Sequence, residues 1–138
     1  MSMSSRPITD IDSIGPVYAE KLKQYGVFTT VDLLKKAGSR KGRLELRDKL
    51  EVNERHILGW LCLAELFRIN GVGPEYAHLL EQAGVDTAPE LAMRNPQSLH
   101  AKMVEVNEEK QLVRRLPSLE DVQRWVKEAQ RLPRVVEY

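Results

Sequence analysis

Cysteine, strand-forming runs and long apolar stretches are all scarce in this chain, and each scarcity removes a class of protein. Cys62 is the one cysteine among 138 residues. That excludes an internal disulfide and fits a reducing, cytoplasmic setting. Its flanks, Trp60-Leu61 and Leu63-Ala64, mark it as a packing thiol on an apolar helix rather than a nucleophile. Aromatics make up 6% of the residues and β-branched residues do not alternate in runs, so no strand is expected beyond an extended ending at 134–138. No apolar run nears the roughly 20 residues that cross a bilayer, and the first residues lack the apolar centre of a signal peptide. Nor does one sign of charge dominate. A net charge of +1 gives no long-range pull toward nucleic acid or anionic lipid.

Catalytic chemistry is missing in the same way. His56, His78 and His100 have no histidine or carboxylate at ligand spacing. The chain holds no Walker loop, no two-histidine zinc helix and no paired cysteines. Glu108-Glu109 and Glu120-Asp121 read as solvated helix faces. The sequence therefore predicts no catalytic residue, no metal, no cofactor and no enzyme activity.

What the chain has is a repeat. Ile11-Asp-Ser-Ile-Gly-Pro-Val-Tyr-Ala-Glu-Lys-Leu22 returns as Ile69-Asn-Gly-Val-Gly-Pro-Glu-Tyr-Ala-His-Leu-Leu80, at a constant offset of 58 residues. The register continues through Gly26-Val27 and Gly84-Val85, Thr29 and Thr87, and Leu33 and Leu91. A match of this length without gaps marks a duplicated structural unit. Pro16 and Pro74 suit a first helical position and Gly26 and Gly84 suit a left-handed cap. Thr29 three residues before Asp32, and Thr87 three before Glu90, are capping-box spacings, so helices are expected over 30–37 and 88–94. Residues 38–42 read as a loop before a helix near 43–50, and Asn95-Pro96 opens its counterpart through Val106. Longer amphipathic helices follow over 54–67 and 119–132, aligning Trp60 with Trp125 and leaving 110–120 as an insertion in the second copy. The reading is all-α, with about eight short helices: a polar tail over 1–10, a first repeat over 11–67, and a second over 68–138, the two sharing one core.

Charge is local rather than global. Lys35, Lys36, Arg40, Lys41, Arg43, Arg47 and Lys49 meet only Glu45 and Asp48 in fifteen residues, a window of +5. Such a run is most often a solvated face, but a local positive patch also attracts phosphate. Arg114 and Arg115 form a second, smaller candidate.

Apolar-x-Gly-apolar-Gly between helices, with alanine four residues after the last glycine, resembles the helix-hairpin-helix motif. Residues 67–80 fit it well, and the first copy carries Ser13 in place of its first glycine. From the hairpins to Pro133-Arg-Val-Val-Glu-Tyr138 the chain also resembles an uncharacterised bacterial family of tandem helix-hairpin-helix proteins. The resemblance implies a duplicated, SAM-like helical bundle with pseudo-twofold symmetry. It also implies phosphate contact at Gly15, Gly71 and Gly73, where a glycine turn and a helix N-terminus would aim N–H groups at a nucleic-acid backbone. A basic or small hydroxyl residue is expected two positions after the second glycine. Val17 and Glu75 stand there instead, and Pro16 and Pro74 each remove an N–H.

The repeats pose a question of phase. A long helix precedes the second hairpin, while only ten residues precede the first. One closed arrangement would send the last helix, around Trp125, to pack beside residues 11–16. Two functions remain: sequence-independent binding of duplex or single-stranded DNA through the basic window and hairpins, and a protein-interaction adaptor. No membrane partner is expected.

Overall fold

A computed structural model describes residues 5–138; residues 1–4, the start of the expected polar tail, lie outside the described residues. The fold is all-α. Its helices are α1 (Pro16–Gln24), α2 (Thr30–Ala37), α3 (Arg40–Leu50), α4 (Glu54–Leu66), α5 (Pro74–Gln82), α6 (Ala88–Ala92), α7 (Pro96–Lys110) and α8 (Leu119–Arg131), preceded by a 3-10 turn over Ile8–Asp10. Among the described residues there is no strand, only an isolated bridge between Pro7 and Thr29. None of these helices is long and apolar enough to cross a membrane.

The chain forms two compact units. One runs up to Arg68 and includes Pro133–Tyr138; the other is Ile69–Leu132. In the first, Gly15 precedes Pro16 at the start of α1 and accepts the Ala19 N–H at 2.9 Å. Gly26 takes φ +79° after α1, a conformation that suits a residue without Cβ, and Val27 N–H returns to Leu22 O. Thr29 Oγ1 then accepts from Asp32 N–H, while the Asp32 carboxylate accepts from Phe28 and Thr29 N–H. The second unit repeats these bonds 58 residues later: Ala77 N–H to Gly73 O, Val85 N–H to Leu80 O, and Glu90 N–H to Thr87 Oγ1, with Gly84 at φ +95°. The sequence repeat is thus a repeat of hydrogen bonds.

Each unit closes on its own tryptophan. Trp60, on α4, packs against Tyr18 of α1 with centroids 5.6 Å apart. Trp125, on α8, packs against Tyr76 of α5 at 5.4 Å. Both indoles are buried, as are Leu22, Leu33, Ile57 and Leu61 in the first unit and Leu80, Leu91, Leu99 and Val122 in the second. Trp125, expected from the sequence to lie beside residues 11–16, has Gly71 and Tyr76 of its own unit as neighbours. In each unit the hairpin comes first and a long tryptophan-bearing helix follows.

Other differences concern the connections. The predicted loop over 38–42 is mostly helix: Ser39 Oγ accepts from Gly42 N–H and starts α3 at Arg40. Residues 5–10 are held rather than free. Arg6 N–H donates to Thr30 Oγ1, Thr30 N–H donates back to Arg6 O, and Ile8 is buried. In the inserted segment α7 runs on to Lys110 and stops at Gln111, φ +50°. Asn107 then clasps Val113, donating to its carbonyl and accepting its N–H. Residues 133–138 belong with the first unit, where Glu137 N–H donates to Gly38 O at 2.8 Å and Val136 is buried.

Candidate nucleic-acid interface

The basic window folds into a corner between two helices. Lys35 and Lys36 occupy the last turn of α2, and Arg40 and Lys41 the first turn of α3; all four are exposed. Gly42 makes the corner tight. A Cβ there would stand 2.1 Å from Lys36 O, so only glycine lets the start of α3 lie against the end of α2. Lysines at a helix C-terminus are favoured by the carbonyl end of the dipole, which helps keep Lys35 and Lys36 there.

Three members of the window do not belong to that surface. Arg43 is 2% exposed, and its Nη1 donates to Ala37 O at 3.3 Å and Gly38 O at 2.9 Å. Its Nε stands 3.8 Å from a Glu54 carboxylate oxygen. Arg43 therefore caps the carbonyl end of α2 from inside the unit, and its assignment as a phosphate contact is corrected to a structural role. Arg47 is half-exposed but paired with Asp48, through Nη2 at 3.0 Å. Lys49 Nζ lies 5.1 Å over the Tyr25 ring. The cations with an open face are thus Lys35, Lys36, Arg40 and Lys41.

The glycine hairpins are less suited to phosphate than their pattern implies. Of Gly15, Gly71 and Gly73, only Gly71 has positive φ, at +90°; Gly15 and Gly73 are extended at −79° and −100°. Ser13, which matches Gly71 in the first copy, has no positive φ, so the two turns differ at this position. No side chain caps α1 or α5 at its N-terminus. At the second hairpin, however, a carboxylate is already present: Glu128 accepts from Asn70 N–H at 3.1 and 3.3 Å. Glu75 is exposed beside Pro74. At the first, Val17 is 68% exposed, Asp12 is exposed, and Asp10 pairs with Arg6 at 3.3 Å. Nothing in the sequence announces the Glu128 contact, since its partner lies 58 residues away.

The remaining candidates are scattered. Arg114 lines a cleft of about 400 Å³ with Glu75, Asn107 and Val113, where acid and base face the same space. Arg115 offers its carbonyl to the Tyr76 hydroxyl at 2.9 Å, a contact that ties the inserted segment to α5. His100 Nε2 is 3.0 Å from Pro117 O, while His56 and His78 are exposed. Among the described residues no group of three histidine, cysteine or acidic side chains stands close enough to hold a metal ion.

No curated protein and no solved structure matches this chain. Residues 12–132, which take in both hairpins and all eight helices, match the model of a family described as a domain of unknown function (DUF4332), and the chain belongs to that family.

Proposed function

We propose that this protein is a non-catalytic helix-hairpin-helix module that binds nucleic-acid backbone weakly and without sequence preference. The observation that carries the reading is the corner of Lys35, Lys36, Arg40 and Lys41, four exposed cations on adjoining helix ends, with no carboxylate contributed by α2 or α3 themselves in those two turns. Cations of this kind contact phosphates and do not read bases, so duplex and single-stranded DNA are both ligands. The Gly-Pro hairpins supply the rigid frame rather than the main phosphate contacts, because Glu75 and Glu128 surround the second of them.

A second reading, a protein-interaction adaptor in a bacterial assembly, draws on one specific observation. Val17 and Phe28, beside the start of α1 and of α2, are 68% and 54% exposed. Large apolar side chains in such positions suit a protein partner better than a phosphate backbone.

Fluorescence anisotropy with a labelled 20-base-pair duplex and a labelled single strand separates the two. Nucleic-acid binding predicts affinity that falls with salt, with a log–log slope no steeper than about −4 for four phosphate contacts. It also predicts loss of binding in a K36E/R40E/K41E variant. Absence of binding to either probe at low salt would overturn the reading.

A further inference from the structure

The segment Pro133–Tyr138 is fastened to the corner that carries the four cations. Glu137 N–H donates to Gly38 O at 2.8 Å, and its side-chain Oε2 accepts from Arg40 N–H at 3.3 Å. Tyr138 donates its hydroxyl hydrogen to the Glu65 carboxylate. Glycine at 38 is what lets the segment lie there. A Cβ on it would stand 2.3 Å from Val135 O, although its own φ of −64° is open to any residue. A single buried side chain, Val136, anchors the six residues, and Pro133, Arg134, Glu137 and Tyr138 are not buried.

We propose that this segment is a releasable strap that sets how strongly the basic corner binds an anionic backbone. With Glu137 seated, a carboxylate sits on the turn that carries Arg40 and Lys41, where an incoming phosphate would be drawn. It holds the first amide of α3 and lowers the local positive charge by one. The corner reaches its full affinity only when the strap lifts. Its attachment is weak enough for that, since one valine and a few hydrogen bonds hold it, against the continuous helix packing of the rest of the unit. The inference rests on the nucleic-acid reading and concerns the regulation of the same surface.

The test uses the whole chain, a labelled 20-base-pair duplex and two charge-matched variants, Glu137→Gln and Glu45→Gln. Glu45 is exposed on α3, more than one turn beyond Arg40. The strap predicts that E137Q binds about fivefold tighter than wild type while E45Q changes affinity less than about twofold. It also predicts that saturating duplex speeds hydrogen exchange at the Glu137 amide of the wild-type protein. Equal gains in E137Q and E45Q, or an unchanged Glu137 amide under saturating duplex, would overturn the strap and leave backbone binding standing. Failure of wild type and E137Q alike to bind at low salt would overturn both. Binding by E137Q alone would support both.

Discussion

Trp125 stands with its ring centroid 5.4 Å from that of Tyr76, and its buried indole nitrogen has no hydrogen-bond partner among the described residues. The ring contact and the orphaned donor act in opposite directions. Truncating Trp125 to alanine removes the anchor of the second unit and is expected to cost about 3–5 kcal/mol. Phenylalanine keeps an aromatic ring against Tyr76 and removes a donor whose desolvation costs about 1–3 kcal/mol. Trp125→Phe should therefore lose less than half as much as Trp125→Ala in urea denaturation. Equal losses would mean that the contact with Tyr76 is not what holds α8.

Two glycines separate conformational strain from steric contact. Gly26 has φ +79° and open space where a Cβ would sit, so Gly26→Ala is expected to cost about 1–2 kcal/mol from backbone alone. Asparagine, which tolerates that conformation, should recover much of the loss. Gly38 has an ordinary helical φ, but a Cβ on it would meet two carbonyl oxygens, Val135 O at 2.3 Å and Leu34 O at 2.4 Å. There alanine and asparagine should be equally damaging, and both should free the segment 133–138. Limited proteolysis after Arg134 reads that release, and protection in Gly38→Ala equal to wild type would count against it.

Arg43 distinguishes structure from binding within the basic window. Its guanidinium satisfies two carbonyls at the end of α2, and no other residue type spans Ala37 O and Gly38 O in the same way. Arg43→Ala is expected to destabilise by about 1–3 kcal/mol, since it removes the guanidinium donor from Ala37 O and leaves Gly38 O with the Glu137 N–H alone. Lysine should rescue only part of that. Lys41→Glu, on the exposed face, should stay within about 0.5 kcal/mol of wild type while weakening duplex binding. Anisotropy and denaturation of both variants check the division. A stable Arg43→Ala that binds less duplex would return Arg43 to the interface.

Much of the fold was legible because its signals are local. Threonine caps at 29 and 87, prolines at 16 and 74, and glycines at 26 and 84 act within a few residues of themselves, and the structure uses each one at that position. The contacts that escaped are those between distant segments. Arg43 looked like one more cation because its burial depends on where α3 starts, and Ser39 starts it earlier than two flanking glycines suggest. The pairing of Arg6 with Thr30 and of Glu137 with Gly38 has no periodicity to betray it. The same is true of Glu128 on Asn70, which changes the electrostatics of the second hairpin without altering its motif.

Carboxylates in this protein respond to acid in two opposite ways. Asp32 is held below its ordinary value of 3.8 chiefly by the Phe28 N–H, and Asp121 below the same value chiefly by the Ser118 N–H. A carboxyl with a depressed folded pKa stabilises the fold above its unfolded value and loses that contribution as pH falls through the folded one. Asp32→Asn should thus cost about 0.3–1 kcal/mol at pH 7, the range for a surface charge at a helix N-terminus. The difference from wild type should shrink below about pH 4, where the wild-type carboxylate also takes a proton. Glu81 runs the other way. Burial, followed by the charge of Asp86, raises it above its ordinary 4.5. Its ionised form therefore weakens the fold at neutral pH, and that penalty is absent below the unfolded value. Glu81→Gln should raise the Tm at pH 7 and give no advantage at about pH 3.5, below the unfolded value. Thermal denaturation of both variants at the two pH values checks the pair, and a Glu81→Gln advantage that persists in acid would assign the gain to packing rather than to charge.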